Sequence, residues 1–232
     1  MHLCCLIPTK RRAGLWQALL LGFIFLASRG LAAQVELASP ETARGYVAHL
    51  LINETAFPGE KFWTSEEDTC AAQAAIIWVL RHRLRNIPPG YTQRQIAAVT
   101  TDNVIDLLTA GGDENRQVEG FYRDASGRPA MAARVTERIT YLLTVANRGT
   151  PGRFVRLLNN AQRLADDFVG YSPVDLFAGL REIDEIPVTG GAYGWMTDRE
   201  IFHPGGNFVR IGDRWRGGLG GNRFFTLRQI TP

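Results

Sequence analysis

A glutamate that continues an apolar helical stripe is the residue of this sequence best suited to acid catalysis. The stripe repeats at helical spacing and predicts one buried face, made of Ala43, Tyr46, Val47, Leu50 and Leu51. Glu54 occupies the next position on that face. Because apolar neighbours remove water from a carboxyl group, its pKa rises, and an acid that keeps its proton near neutral pH can protonate a leaving oxygen. The alternative is that Glu54 lies at the solvent edge of the stripe and bonds a helix amide or an arginine.

Two other polar side chains are candidates for supporting Glu54. Glu60 follows the helix-breaking segment 57–59 and either orients Glu54 or a water, or is a solvated loop carboxylate. Gln73 is the one strongly polar group in the apolar stretch 70–80, so it requires a hydrogen-bond partner. That partner is either a substrate amide or a backbone carbonyl.

Glycine and aromatic residues dominate the chain after Pro187. The stretches 208–215 and 222–227 are predicted to pair as short strands across the glycines between them. His203 precedes a proline, which imposes an extended or turn conformation on it. The aromatic residues either stack on sugar rings in a groove or form a small core, and they are Trp195, Phe202, Phe208, Trp215, Phe224 and Phe225.

Several chemistries are disfavoured by what the sequence lacks. His49, His82 and His203 have no metal-ligand spacing, which argues against a zinc site. There is no Gly-x-Ser-x-Gly elbow and no phosphate-cradling loop, which argues against a common serine hydrolase and against nucleotide use. Cys70 stands where a buried helix begins, so a structural role is favoured over a nucleophilic one.

The elements that would hold these residues are mainly helices. One helix is predicted to begin at Ser39-Pro40-Glu41 and to carry Glu54, and a second follows a capping box from Thr64 to Glu67. The apolar composition of the second helix predicts that it is central and buried on all sides. Further helices are predicted at 92–100, 101–110, 129–147 and 153–169, with a surface loop at 113–127. These patterns favour one mainly α domain, of α+β class, over residues 34–232.

The first 33 residues have the three zones of a cleavable signal peptide: basic residues at 10–12, an apolar run at 18–27 and small residues up to Ala33. The run is shorter than the roughly 18 to 20 residues that span a bilayer, so a retained anchor is the weaker alternative. Removing this leader leaves 22 basic against 23 acidic residues, a net charge of −1. We therefore expect a periplasmic or secreted protein, with no nucleic-acid partner and no stable membrane insertion.

Three sequence blocks, in this order, resemble bacterial cell wall hydrolases of the spore-cortex-lytic type. The first is Ile52-Asn53-Glu54-Thr55-Ala56 with Gly59-Glu60, similar to the family's catalytic Glu and nearby Gly-Glu. The second is 73–80 ending at Arg83-Leu84, similar to a buried helix that begins with Gly-Gln and ends with Asn-Arg. The third joins Phe202-His203-Pro204, Trp215 and 220–225, similar to closing Phe-Asn-Pro, Trp and Ile-Gly-x-His-x-Phe elements. His82 replaces the family's Asn, and Asn222 replaces a His.

The resemblance implies a lysozyme-like helical domain with a short β-hairpin and a glycine- and aromatic-rich C-terminal segment. The segment at about 91–186 would be a helical insert, since it has no counterpart in the family. The implied substrate-binding or supporting residues are Glu60, Gln73, Phe202, His203, Trp215, Asn222 and Phe224. The resemblance implies no metal and no organic cofactor.

The implied activity is cleavage of peptidoglycan glycan strands between N-acetylmuramic acid and N-acetylglucosamine, with Glu54 as the single acid. A hydrolase places a second carboxylate beside the bond, whereas a lytic transglycosylase does not require one. Because no second carboxylate has a clear claim in the sequence, a transglycosylase is favoured. The rival hypothesis is an exported protein that binds glycan or an envelope partner on the same scaffold without cleaving it.

Overall fold

The structure is a computed structural model that describes residues 35–111, 117–148, 152–168, 173–197 and 204–230. The predicted leader at 1–33 and two predicted site residues, Phe202 and His203, lie outside the described residues. Residues 34–232 form one compact unit.

The described residues contain six α-helices and eight short strands. The helices are α1 (Ala43–Glu54), α2 (Glu66–Arg85), α3 (Gln93–Ala97), α4 (Val104–Leu108), α5 (Ala133–Ala146) and α6 (Arg153–Asp166). The strands are β1 (Phe121–Arg123), β2 (Pro129–Met131), β3 (Glu182–Ile183), β4 (Ile186–Pro187), β5 (Gly194–Thr197), β6 (Phe208–Arg210), β7 (Gly218–Leu219) and β8 (Asn222–Leu227). The chain is therefore α+β, as predicted at that level. None of the described helices is both long enough and apolar enough to cross a membrane.

The first helix starts later than predicted. Thr42 caps α1, and its hydroxyl accepts a hydrogen bond of 3.1 Å from the amide of Gly45. Ser39 belongs to the preceding turn, where its carbonyl accepts from the amide of Thr42 at 3.0 Å. Gly45 lies so close to Ser39 that a Cβ would approach the Ser39 carbonyl oxygen to 1.9 Å, which fixes the turn against the helix.

The cap of α2 is also shifted, by one residue. Ser65 accepts a hydrogen bond of 3.0 Å from the amide of Asp68, whereas the hydroxyl of Thr64 donates to the Asp68 carboxylate at 2.6 Å. The predicted box from Thr64 to Glu67 is therefore wrong. Two adjacent hydroxyls satisfy the same sequence signature, and it is Ser65, with an extended backbone, whose hydroxyl accepts from a helix amide.

The hydrophobic core lies where α1, α2, α5 and α6 pack against one another. From Gly45 to Ile52, every residue of α1 is buried, so this helix is the one enclosed on nearly all sides, although Ala43 is exposed. The helix predicted to be buried on all sides, α2, keeps instead a half-buried side that includes Cys70 and Trp78. The α1 helix therefore carries Glu54 out of the core at its C-terminal end.

A β-hairpin occupies a region predicted to be a loop followed by a helix. β1 pairs antiparallel with β2, and the turn between them is closed by Asp124, whose carboxylate accepts from the amides of Ser126 and Arg128 at 2.8 and 3.0 Å. The predicted helix start at Pro129 is therefore wrong, and Met131 lies in a strand. The hydroxyl of Tyr46 donates to the carbonyl of Ala130 at 2.8 Å, which holds the hairpin against α1.

The C-terminal segment forms a four-stranded antiparallel sheet in the order β5-β8-β6, with β7 also paired to β8. The predicted pairing between the 208 and 222 regions is confirmed for β6, in the register Phe208 to Leu227. Trp215 does not belong to a strand, because Asp213–Trp215 forms a 3₁₀ turn. β5 is a strand that the sequence did not predict, and it aligns Trp195 with Phe224.

His82 of α2 fixes the entry to β5. Its ring Nδ1 donates a hydrogen bond of 2.8 Å to the carbonyl of Ala192, and the ring stacks on Tyr193 and approaches Asp175 to 3.4 Å. Gly191 lies against this ring with a φ of +71°, and a Cβ there would come within 2.3 Å of it. A glycine is therefore required where the chain passes the His82 ring and enters the strand that carries Trp195.

Candidate active site

Glu54 lines a cavity of about 240 Å³ at the C-terminal end of α1. The cavity lies between this helix end, the last turn of α2, the segment before β1, and β5. Its other lining residues are Arg83, Gln117, Val118, Glu119, Trp195, Met196 and Thr197. The cavity therefore combines one aromatic ring, several apolar side chains, and charges of both signs.

Neutral donors hold the carboxylate of Glu54. The indole Nε1 of Trp195 donates to Oε2 at 3.0 Å, and Nδ2 of Asn53 donates to Oε1 at 2.9 Å. Among the described residues, no Lys, Arg or His comes within ion-pair distance of this carboxylate. The alternative in which Glu54 is paired with an arginine is therefore not the arrangement seen.

Burial raises the pKa of the Glu54 carboxyl above its ordinary value. The hydrogen bonds from Trp195 and Asn53 lower it, as do the charges of Arg138 and Arg134, but these effects offset only part of the cost of desolvation. Part of the residue stays accessible while the carboxyl group is surrounded by protein. Such a group can hold a proton at a pH where an exposed glutamate has lost it.

Asn222 positions the main chain of Glu54. It is 2 % exposed, and its Nδ2 donates a short hydrogen bond to the Glu54 carbonyl at the end of α1. The next contact along the chain is the amide of Ala56, which donates to the carbonyl of Gly220 at 3.0 Å. The amide of Gly220 in turn donates to the carboxylate of Asp68 at 2.9 Å. The loop before β8 therefore caps α1 and fixes where Glu54 leaves the helix.

Glu60, predicted to support Glu54, binds an arginine instead. Arg138 of α5 donates to both Glu60 oxygens, at 2.9 and 2.7 Å, and Glu60 also accepts from the amide of Phe57 at 2.7 Å. The same guanidinium donates to the carbonyls of Ile52 and Thr55, at 2.5 and 3.0 Å. Glu60 thus orients the arginine that binds the C-terminal carbonyls of α1, and it does not line the cavity.

Gln73 has protein partners of a kind that the sequence did not predict. Its Nε2 donates to the hydroxyl of Thr55 at 3.4 Å, and its Oε1 accepts from Nδ2 of Asn160 at 2.7 Å. The Thr55 hydroxyl donates to the carbonyl of Leu51 at 2.7 Å. Since Gln73 is fully buried behind the end of α1, it links α2 and α6 to the residue that follows Glu54.

The two predicted aromatic site residues within the described chain lie outside the cavity. Trp215 is 42 % exposed and lies under the guanidinium of Arg214, at 5.5 Å from the ring centre. Phe224 is fully buried and packs against Phe177 at 5.7 Å between ring centres. Phe224 is therefore a packing residue of β8, in which the run from Phe224 to Leu227 is buried.

Sequence reasoning missed most of the cavity wall. Trp195 was noted only as one of a set of aromatic residues, because nothing in the sequence indicates that β5 lies beside the end of α1. Arg83 was part of the second sequence block without a role of its own. The 117–119 segment has no motif at all, and only the fold brings Glu119 into the cavity.

No protein-family model, curated protein or solved structure matches this chain. In the part of the chain that the structure describes, no group of three or more His, Cys, Asp or Glu side chains is arranged to hold a metal ion. The function of this protein is therefore inferred from the geometry around Glu54.

Proposed function

We propose that this protein is an exported enzyme that cleaves the glycan strands of peptidoglycan between N-acetylmuramic acid and N-acetylglucosamine, as a lytic transglycosylase. The observation that carries the proposal is Glu54, which lines a cavity and whose carboxyl group is held by the neutral donors Trp195 and Asn53 and has a raised pKa. The lysozyme-like character of the domain is part of this proposal.

The proposed reaction uses Glu54 twice. In the first step its proton moves to the glycosidic oxygen. The bond between this oxygen and the anomeric carbon of the muramic acid breaks, and positive charge develops on that sugar ring. In the second step the Glu54 carboxylate takes the proton of the same sugar's 6-hydroxyl, whose oxygen bonds to that carbon and closes an anhydro ring. Trp195 and Asn53 keep both carboxylate oxygens in place, and their N–H groups stabilise the charge that Glu54 carries between the two steps.

A hydrolase is the second candidate, and Glu119 is the observation that favours it. This carboxylate lines the same cavity as Glu54, whereas the sequence offered only Glu60. Glu119 is strongly exposed and pairs with Arg134 at 2.8 Å, so its carboxylate is well solvated and its charge is already balanced by the arginine. That environment suits a base for water less well than an enclosed site would, which is why we favour the transglycosylase.

Digestion of purified peptidoglycan sacculi tests the proposal, with the released fragments analysed by mass spectrometry. Anhydro-muramic ends are expected, and a Glu119→Gln protein is expected to release the same ends. If the parent released reducing ends and the Glu119→Gln protein did not, the protein would be a hydrolase and not a transglycosylase. Binding of sacculi without release of fragments would support the non-catalytic glycan-binding protein instead.

A further inference from the structure

Arg83 is a cation in the wall of the Glu54 cavity that lacks a carboxylate partner among the described residues. Its Nε donates to the carbonyl of Tyr193 at 2.6 Å, and its Nη1 donates to Oε1 of Gln117 at 2.9 Å. A guanidinium has five N–H donors, so three remain beyond these two bonds. Both acceptors are neutral, and the charge of Arg83 is therefore not compensated by them.

The other arginines around this site differ from Arg83 because each of them pairs with a carboxylate. Arg138 forms a bidentate pair with Glu60, and Arg134 pairs with Glu119 at 2.8 Å. Burial lowers the pKa of Arg83 to about 10, a value at which the guanidinium is still charged at neutral pH. An enclosed charge without a counter-charge is unfavourable in the unliganded protein, and an anion that enters the cavity relieves this cost.

The position of Arg83 places such an anion beside the proposed reaction. The guanidinium lies over the face of the Trp195 ring, 5.8 Å from its centre, and the edge of the same ring donates its N–H to Glu54. Arg83 and Glu54 line the same cavity, and each contacts this indole. A ligand group bound at Arg83 would therefore belong to the sugar that reacts at Glu54 or to its immediate neighbour.

We propose that Arg83 binds a carboxylate of the glycan substrate, in the fork geometry that suits a guanidinium. This inference rests on the proposed function. Peptidoglycan offers the carboxylate from two sources: the lactyl group of muramic acid on strands without peptide, or the stem peptide on intact strands. Chitin, a polymer of N-acetylglucosamine alone, has neither, so Arg83 makes the site selective for muramic acid strands.

Binding measurements by calorimetry with matched ligands test this inference without turnover, in a Glu54→Gln protein. Three tetrasaccharides of alternating N-acetylglucosamine and N-acetylmuramic acid are compared: one with free lactyl carboxylates, one with lactyl carboxamides, and one with Ala-Glu dipeptides on the lactyl groups. We expect at least one carboxylate ligand to bind about tenfold tighter than the carboxamide, the gain typical of a charge-assisted hydrogen bond. Which ligand gains identifies the source of the carboxylate.

Variants assign the preference to Arg83. Arg83→Gln is expected to abolish the tenfold preference, and Arg83→Lys to keep part of it, because lysine retains the charge but loses the fork. The control is Arg214→Gln, which removes a guanidinium that also lies over a tryptophan, Trp215, but outside this cavity. That protein is expected to keep the full preference.

Three results would overturn the inference. Equal affinity for all three ligands, or a preference that survives in Arg83→Gln, would remove Arg83 from carboxylate binding. Should Arg83→Gln fail to fold, the ligand comparison with Arg83 intact and the Arg83→Lys protein still decide the matter. Absence of binding to every ligand would also overturn it. Digestion of sacculi tests cleavage separately, so a failure of this inference can be distinguished from a failure of the proposed function.

Discussion

The indole Nε1 of Trp195 donates a hydrogen bond of 3.0 Å to Oε2 of Glu54, and this bond joins two residues that are 141 positions apart in the chain. It connects β5 of the C-terminal sheet to the last residue of the central helix α1. The bond favours the charged form of Glu54, while burial favours the protonated form more strongly. The proton affinity of the proposed catalytic group therefore depends on how the sheet is docked against the helix.

Replacing Trp195 by phenylalanine is expected to raise the pKa of Glu54 further. Phenylalanine keeps most of the ring but loses the N–H that stabilises the carboxylate. Titration of the Glu54 carboxyl carbon by NMR measures the effect, with Trp215→Phe as the control because Trp215 lies outside the cavity. The pH at which the rate of the proposed cleavage falls should increase as well. An unchanged or lowered pKa would show that the indole does not stabilise the charge.

Folding stability should depend on pH through Glu54. Because its pKa is raised in the folded protein, Glu54 contributes most to stability below the pKa of the unfolded chain, and this contribution is lost as the pH rises through the folded-state pKa. The free energy of unfolding of the parent relative to Glu54→Gln should therefore decrease from pH 4 to pH 8. Urea unfolding at several pH values checks this, with Glu67→Gln at an exposed position as background. A difference that increases with pH would contradict the raised pKa.

Arg138 is expected to be important for stability. Arg138→Gln removes four hydrogen bonds, two to Glu60 and two to carbonyls at the end of α1, and should lower the free energy of unfolding by about 1 to 3 kcal/mol. Urea unfolding measures the loss. The control is Arg156→Gln, which breaks a bidentate pair with Glu66 on the exposed side of α6 and should cost less. Equal losses would mean that the contacts with α1 contribute nothing beyond a surface ion pair.

Two amide side chains behind Glu54, the buried Gln73 and the half-buried Asn160, should behave as a unit. Gln73→Leu leaves Nδ2 of Asn160 without its partner, at an expected cost of about 1 to 3 kcal/mol. In the double variant Gln73→Leu, Asn160→Leu both polar groups are gone, so part of the loss should be recovered. A complete double-mutant cycle in urea measures the coupling. Additive losses would show that the two side chains are energetically independent.

The local pattern of the sequence predicted the part of the site that one helix supplies. The apolar stripe predicts α1 and places Glu54 at its end. The apolar composition of α2 indicates that Gln73 requires a hydrogen-bond partner. The same local signals left the helix starts ambiguous, since Ser39 and Thr42, or Thr64 and Ser65, carry equivalent capping groups. Only the folded chain shows which hydroxyl accepts from a helix amide, that of Thr42 in α1 and that of Ser65 in α2.

Most of the cavity could not be predicted, because distant segments form its wall. The wall combines a strand with Trp195, a helix end with Arg83 and a connecting segment with Glu119. None of these residues is at a characteristic spacing from Glu54. Trp215 and Phe224 lie outside this cavity, and the sequence could not show this for a related reason. Both belong to an aromatic cluster by composition, and only the fold places Phe224 in a buried strand and Trp215 in an exposed 3₁₀ turn.

In the proposed reaction, the Glu54 carboxyl group supplies the proton for cleavage of the glycan strand. The rate of sacculus digestion by the parent, by Glu54→Gln and by the matched control Glu67→Gln decides whether it does. We expect Glu54→Gln to lose at least about 100-fold in rate, the contribution typical of a general acid, while Glu67→Gln digests at the parent rate. Digestion by a folded Glu54→Gln protein as fast as by the parent would contradict the account.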